Sequence, residues 1–245
     1  MLLLLCGCVG VTPPDSFVYK EIQTDTFKIA TWQKMTNPRG DVRVYIEGDG
    51  HAFNNRGRPT ADPTPQGGFM RKLAFNDPND NVIYMARPCQ FVADPKCEKR
   101  YWTTARFAPE VITAAGQAII KSVDRRQPII LIGYSGGAQV AGQVVTRKFD
   151  GQFNVEKIIT IAGVLDHKAW TAYHNDTPLK ESPNLADYRT AFSRWPQIHY
   201  VGGKDDVVPP ALVRKFITDP GLIVIVPNAT HNKGWEEILP ELYKR

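Results

Sequence analysis

The 245-residue chain has no apolar run long enough to cross a bilayer, and its opening Met1-Leu2-Leu3-Leu4-Leu5 stretch is far short of one. It also lacks a block of like charge. Thirty Lys and Arg against 25 Asp and Glu leave a formal charge of +5 with no basic cluster, which describes a solvated basic surface and gives no ground for nucleic-acid binding. Cysteine is scarce at four, and no His/Cys pair lies near Cys89 and Cys97 at ligand spacing, so a zinc site is not expected. No internal repeat and no second composition regime is present, which leaves one fairly large domain.

What little stands at the amino terminus is informative. Residues 1–8 read as the end of a secretory apolar region whose basic segment is missing. Leu5-Cys6-Gly7-Cys8 resembles a bacterial lipobox, although Cys6 stands where Ala, Ser or Thr is usual; a non-lipidated secretion signal is the alternative. The resemblance implies lipidation at Cys8, anchoring to a membrane in the bacterial cell envelope, and a signal remnant and tether over 1–24, the tether itself at Val11 to Asp15. In an exported protein, Cys89 and Cys97, eight residues apart in one loop, suit a local disulfide; in a cytosolic one they would be free thiols.

Along the remainder, 25–245, strand and helix signals alternate. Residues 27–31 and 42–47 flank Asn37-Pro38-Arg39-Gly40 and read as a hairpin. Strands follow at 81–86, 129–132, 157–162, 198–201 and 222–226, and helices at 69–75, 109–125, 138–148, 210–218 and 235–244. Residues 165–195 are irregular, with one short helix near 186–192, and read as a small cap. The pattern implies an α/β fold: a mainly parallel twisted sheet with helices on both faces and an antiparallel edge. Such sheets place their chemistry beyond the carboxyl ends of the strands.

Three residues stand there. Ser135 is the apex of Gly133-Tyr134-Ser135-Gly136-Gly137, between an apolar strand and an Ala/Val-patterned helix. Asp205 follows the strand at 198–201, and His231 follows the strand at 222–226. A serine hydroxyl needs exposure at a sharp turn, a base and oxyanion donors to act as a nucleophile. Nucleophile, acid and base occur in the order Ser, Asp, His. Asp206 and Asp166 are rival acids.

On these residues the chain resembles the α/β-hydrolase superfamily over nearly all of 25–245. It looks most like small bacterial exported hydrolases with a Tyr45-Ile46-Glu47-Gly48-Asp49-Gly50-His51 loop, whose substrates are mostly unassigned. The resemblance implies Ser135 as nucleophile, His231 as base and Asp205 as its orienting acid. The oxyanion donors are expected at Gly136 and in the loop after 42–46, at Asp49 with Gly50 as the runner-up. The acids of that loop either brace it or bind a substrate ammonium. Tyr134 and His51 are candidate pocket residues; each also has a plain structural reading. Arg87, Arg100, Arg106, Lys96 and Lys99 read as solvated charge, with an anion-docking surface as the lesser alternative.

The expectation is a serine hydrolase of an ester or thioester of a small-molecule or acyl substrate, working without metal or cofactor. A peptidase or amidase with the same triad, and a non-catalytic envelope binding protein, are the alternatives.

Overall fold

The computed structural model describes residues 11–147, 149, 151–152 and 154–244; Cys6, Cys8 and the lipobox lie outside the described residues. Eight strands form one sheet: β1 (Val18–Gln23), β2 (Lys28–Met35), β3 (Val42–Ile46), β4 (Asn81–Met85), β5 (Pro128–Tyr134), β6 (Asn154–Ile161), β7 (Gln197–Gly202) and β8 (Ile223–Val226). Their order is β1-β2-β4-β3-β5-β6-β7-β8. Strand β2 runs against both its neighbours, and β4 through β8 are mutually parallel.

The expected hairpin between 27–31 and 42–47 does not form. The turn is real, with Gly40 N–H donating to Asn37 O at 3.2 Å, but β2 pairs with β1 and β4 while β3 enters the centre of the sheet. Burial explains the choice. Val42, Arg43, Val44, Tyr45 and Ile46 are all buried, which requires neighbours on both edges and cover on both faces. The true hairpin partner, β1, lies within the span 1–24 expected to be signal remnant and tether and not part of the domain. Its residues are exposed almost throughout, so it carries no apolar alternation to announce a strand.

Helices cover both faces. Alternation along β3 and β5 sends Val42, Val44, Ile46, Ile129 and Leu131 to one side, where α2 (Pro109–Ser122) and α3 (Gly137–Thr146) supply Val111, Ile112, Ala115, Val140, Ala141 and Val144. Tyr45 and Ile132 point the other way, onto α1 (Phe69–Asn76) and the carboxyl-terminal Trp235, Ile238 and Leu242. The α2 helix stops at Ser122, short of 125, because Val123 is extended and Asp124 Oδ1 accepts the Arg126 N–H at 2.9 Å in a turn.

The segment 165–195 is more ordered than the sequence suggests. Asp166 caps α4 (His167–His174), its carboxylate accepting from the Lys168 and Ala169 amides. Then come a 3-10 turn and the four-residue α5 (Arg189–Phe192). Leu185 is fully buried against Gly142 of α3, where a Cβ would lie 2.4 Å from its Cδ2. Helix α6 (Pro210–Phe216) follows the acid loop. The expected terminal helix is a 3-10 turn and the four-residue α7 (Leu239–Leu242), with Pro240 in its first turn.

Candidate active site

Strand β5 ends in a turn too tight for most residues. Ser135 has φ +49°, a left-handed conformation uncommon for a side-chain-bearing residue. Three backbone hydrogen bonds hold it there: Ser135 N–H to Ile161 O at 3.1 Å, and Ser135 O accepting from Ala138 at 3.1 Å and Val164 at 3.0 Å. Strain of this kind persists where the surroundings over-determine it. Gly133 makes the reversal possible, since a Cβ there would sit 2.7 Å from the Ala138 Cα. At Gly137 a Cβ would lie 2.3 Å from Ile46 O, so the end of β3 abuts the elbow directly.

Sheet register then gathers the other groups. Gly202 pairs with Val226 across β7 and β8, and Gly203 and Lys204 donate to Val226 O and Ala229 O at 2.8 and 2.9 Å. The loops bearing Asp205 and His231 therefore leave the sheet side by side. His231 Nε2 lies 3.0 Å from Ser135 Oγ, and its Nδ1 lies 3.0 and 3.2 Å from the two Asp205 oxygens. Asp205 is buried, and its Oδ1 also accepts the Val207 and Val208 amides at 2.9 and 2.8 Å. Facing a carboxylate, Nδ1 carries the imidazole proton, which leaves Nε2 free to accept from the serine. Asp206 is exposed, and Asp166 is committed to its helix cap, so neither rival faces His231.

The loop after β3 lies across the elbow because β3 and β5 are neighbours, Ile46 pairing with Gly133. A Cβ on Gly48 would touch Ser135 Cβ at 3.2 Å, and one on Gly136 would collide with Asp49 Oδ1 at 2.1 Å. Among the described residues, no backbone carbonyl accepts from the Gly136 or Asp49 amide. A residue unmarked by the sequence reading orients this loop. Buried Gln90 donates from Nε2 to Gly48 O at 3.1 Å. In a trans peptide the carbonyl and the following N–H point oppositely, so this bond directs the Asp49 N–H away from Gln90. Gln90 is itself held: its Oε1 accepts the Arg87 amide at 3.0 Å, both flanking residues have positive φ (Cys89 +70°, Phe91 +62°), and Cys89 is disulfide-bonded to Cys97. Gly50, the alternative donor, has φ +66° and packs against Pro63 O.

The Asp49 side chain does not await a substrate ammonium. Arg87 Nη1 reaches Oδ1 at 3.2 Å and Arg106 Nη1 reaches Oδ2 at 2.5 Å. Burial alone would raise the carboxyl pKa, but the charges of Arg106 and Arg87 outweigh it and hold Asp49 below the usual carboxylate range. Neighbouring Glu47 is raised by burial, against hydrogen bonds from Tyr84 Oη at 2.7 Å and the Gly48 amide at 2.8 Å. Two of the arginines read as solvated charge, Arg87 and Arg106, therefore turn inward.

Ser135, His231, Tyr134, His51, Asp49 and Arg106 all border one cavity of about 650 Å³, in the range of small-ligand sites. Tyr134 packs on both His231 and Phe69, with ring centroids 5.2 and 4.9 Å apart. His51 stands at the wall, its amide donating to Pro63 O. Trp170 of α4 closes another side. Its indole N–H and His174 Nε2 both meet Val207 O, at 2.7 and 2.9 Å, and so tie α4 to the loop that carries Asp205.

Strand order, a single antiparallel strand β2 among parallel ones, and helices on both faces define the α/β-hydrolase fold, and solved structures agree. An esterase of Pyrococcus furiosus superposes with a TM-score of 0.60 at 16% identity, over 93% of this chain and 88% of that one. The thioesterase domain from the curacin biosynthetic pathway matches with a TM-score of 0.57 at 11% identity, over 94% and 98% of the two chains. A puromycin-hydrolyzing peptidase of Mycobacterium tuberculosis matches with a TM-score of 0.59 at 11% identity, over 96% of this chain and 39% of that one. No protein-family model matches the sequence, and neither does any curated protein. The likeness is one of fold, and the chemistry rests on the site.

Proposed function

We propose that the protein is a serine hydrolase that cleaves a carboxylic ester or thioester through an acyl-enzyme. The observation that carries this reading is the continuous contact from Asp205 through His231 to Ser135 at an open cavity. Ser135 Oγ attacks the substrate carbonyl carbon as its proton passes to His231 Nε2. Asp205 holds the imidazole by Nδ1 and stabilises its charged form. The tetrahedral oxyanion accepts from the Gly136 and Asp49 amides, and each such donor contributes about 2.7–4 kcal/mol to the transition state. Collapse breaks the bond to the leaving oxygen or sulfur, which takes the proton from His231. Water then repeats the sequence on the acyl-enzyme, releasing the acid and restoring Ser135.

The Cys89–Cys97 bond supports the exported reading, since disulfides persist in oxidising compartments. Anchoring through a lipidated Cys8 remains part of the proposal.

A panel of 4-nitrophenyl esters, acyl thioesters and aminoacyl amides tests the reading. Ester or thioester turnover is expected to exceed amide turnover, with a burst of one leaving group per enzyme wherever deacylation is slow. Amide-only turnover would move the protein to the peptidases. The Asp205→Asn variant is expected to lose about 10⁴-fold in kcat, the scale of the same change in a serine protease. Asp206→Asn should behave as wild type; loss in that variant alone overturns the acid assignment.

A further inference from the structure

We infer that the cavity binds an anionic group of the substrate, a carboxylate or a phosphate, on the free edge of the Arg106 guanidinium; the inference builds on the hydrolase reading of the same site. Among the described residues that line the cavity, Arg106 alone bears a permanently cationic side chain. It is 6% exposed and does not sway in solvent. Its Nε donates to Thr103 O at 2.8 Å, its Nη1 to Asp49 Oδ2 at 2.5 Å, and the guanidinium lies 5.6 Å from the centre of the Phe53 ring. The remaining nitrogen, Nη2, has no hydrogen-bond partner among the described residues. Unlike the Nε of Arg87, it is not sealed from solvent. Two of three nitrogens are locked; the third keeps solvent contact, on a residue that borders the same cavity as Ser135.

Asp49 does not cancel this charge, because the carboxylate is shared. Arg87 holds its other oxygen and also donates from Nη2 to the Arg106 carbonyl, so two guanidiniums face one carboxylate and the cluster keeps a net positive charge. Glu47 is the other acid at the wall; its oxygens accept from Tyr84 and the Gly48 amide, and Arg71 and Arg87 both act on it, so three guanidiniums stand against two carboxyl groups. A fixed, half-satisfied guanidinium fork in a largely buried setting is matched by carboxylate or phosphate oxygens. An ammonium-bearing substrate would meet the opposite field.

Paired substrates locate the anion. In the acyl part, 4-nitrophenyl hydrogen adipate is set against 4-nitrophenyl hexanoate; in the leaving group, 3-acetoxybenzoate is set against its methyl ester. In at least one pair kcat/KM is expected to favour the anion at least tenfold at low salt, mostly through KM. That ratio should fall to one or below in Arg106→Gln and be partly kept in Arg106→Lys. A wild-type ratio of one or less in both pairs overturns the inference, as does an unchanged ratio in Arg106→Gln.

A binding arm needs no turnover. Adipate and phenyl phosphate, titrated calorimetrically into Ser135→Ala, separate carboxylate from phosphate. At least one should bind, and binding should be lost when Arg106→Gln is added. No binding of either contradicts the inference. Binding with no turnover of any ester would instead retire the hydrolase reading and leave the anion site standing.

Discussion

At the amino-terminal end of β3, Arg43 meets Asp77; beyond its carboxyl end, Asp49 lies between Arg87 and Arg106. Both clusters set buried arginine against a carboxylate, fully buried at Asp77 and partly exposed at Asp49, and they close differently. Arg43 Nη1 donates to both Asp77 oxygens and to Leu242 O, each at 3.1 Å, and Nη2 donates to Lys244 O at 2.6 Å. Asp77 also accepts from Tyr45 Oη at 2.6 Å and the Asn79 amide at 2.9 Å. That cluster fastens the carboxyl terminus to the sheet and points inward on itself. The Asp49 cluster sets two guanidiniums against one carboxylate, and Arg106 and Asp49 both border the cavity. The same chemistry makes a clasp in one place and a binding surface in the other.

Removing each carboxylate separates the two roles most sharply. Asp77→Ala strands a buried Arg43 and is expected to cost about 3–5 kcal/mol in urea unfolding, while kcat/KM per folded molecule stays within about twofold. Asp49→Ala leaves two guanidiniums facing each other beside the proposed oxyanion site. It should lose stability and, in addition, about 10²–10³-fold in kcat, the scale of one lost oxyanion donor. Activity loss confined to the Asp77 variant would erase the distinction.

A smaller effect is expected at Gln90, which orients the site-side loop without touching substrate. Gln90→Leu leaves the Gly48 carbonyl and the Arg87 amide unpaired, at about 1–3 kcal/mol of stability. Its kcat should fall by no more than the loss of one donor, about 10²–10³-fold, with KM little changed. Equal losses in kcat with neutral esters of every size, and KM unmoved, mark positioning; a rise in KM alone would make Gln90 a substrate contact.

The least effect, and one on stability alone, belongs to a buried polar group behind the site. His199 is fully buried between Thr160 Oγ1 and Gln197 Oε1, each 2.8 Å away, and desolvation lowers its pKa to about 3. The unfolded chain takes up this proton below about pH 6.5, whereas the folded protein refuses it until about pH 3. The stability it contributes is complete above the unfolded value and declines as pH falls through that window. His199→Gln should flatten the fall in urea midpoint between pH 7 and pH 4; an unaltered slope would place the acid sensitivity elsewhere.

The three residues of the candidate site were legible because each follows a strand. The run before Ser135 is apolar and β-branched, and Asp205 and His231 sit in loops that β7 and β8 bring together. What escaped was set by contacts far apart in the chain. Gln90 lies 42 residues from Gly48, and Arg106 lies 57 from Asp49, and neither spacing has a periodic signal. The positive φ of Cys89 and Phe91 has no glycine to mark it. Helix α4 buries only His167 and Thr171, too little for an apolar stripe. The solvent-facing β1 hides for the same reason, and this made β3 look like the hairpin partner of β2.

The central claim is that His231 makes Ser135 a nucleophile. A fluorophosphonate probe on the folded protein, read by intact mass and peptide mapping, tests it most directly. One adduct on Ser135 is predicted, abolished in Ser135→Ala and strongly slowed in His231→Ala. A folded protein left unlabelled, or labelled at another serine, would contradict it.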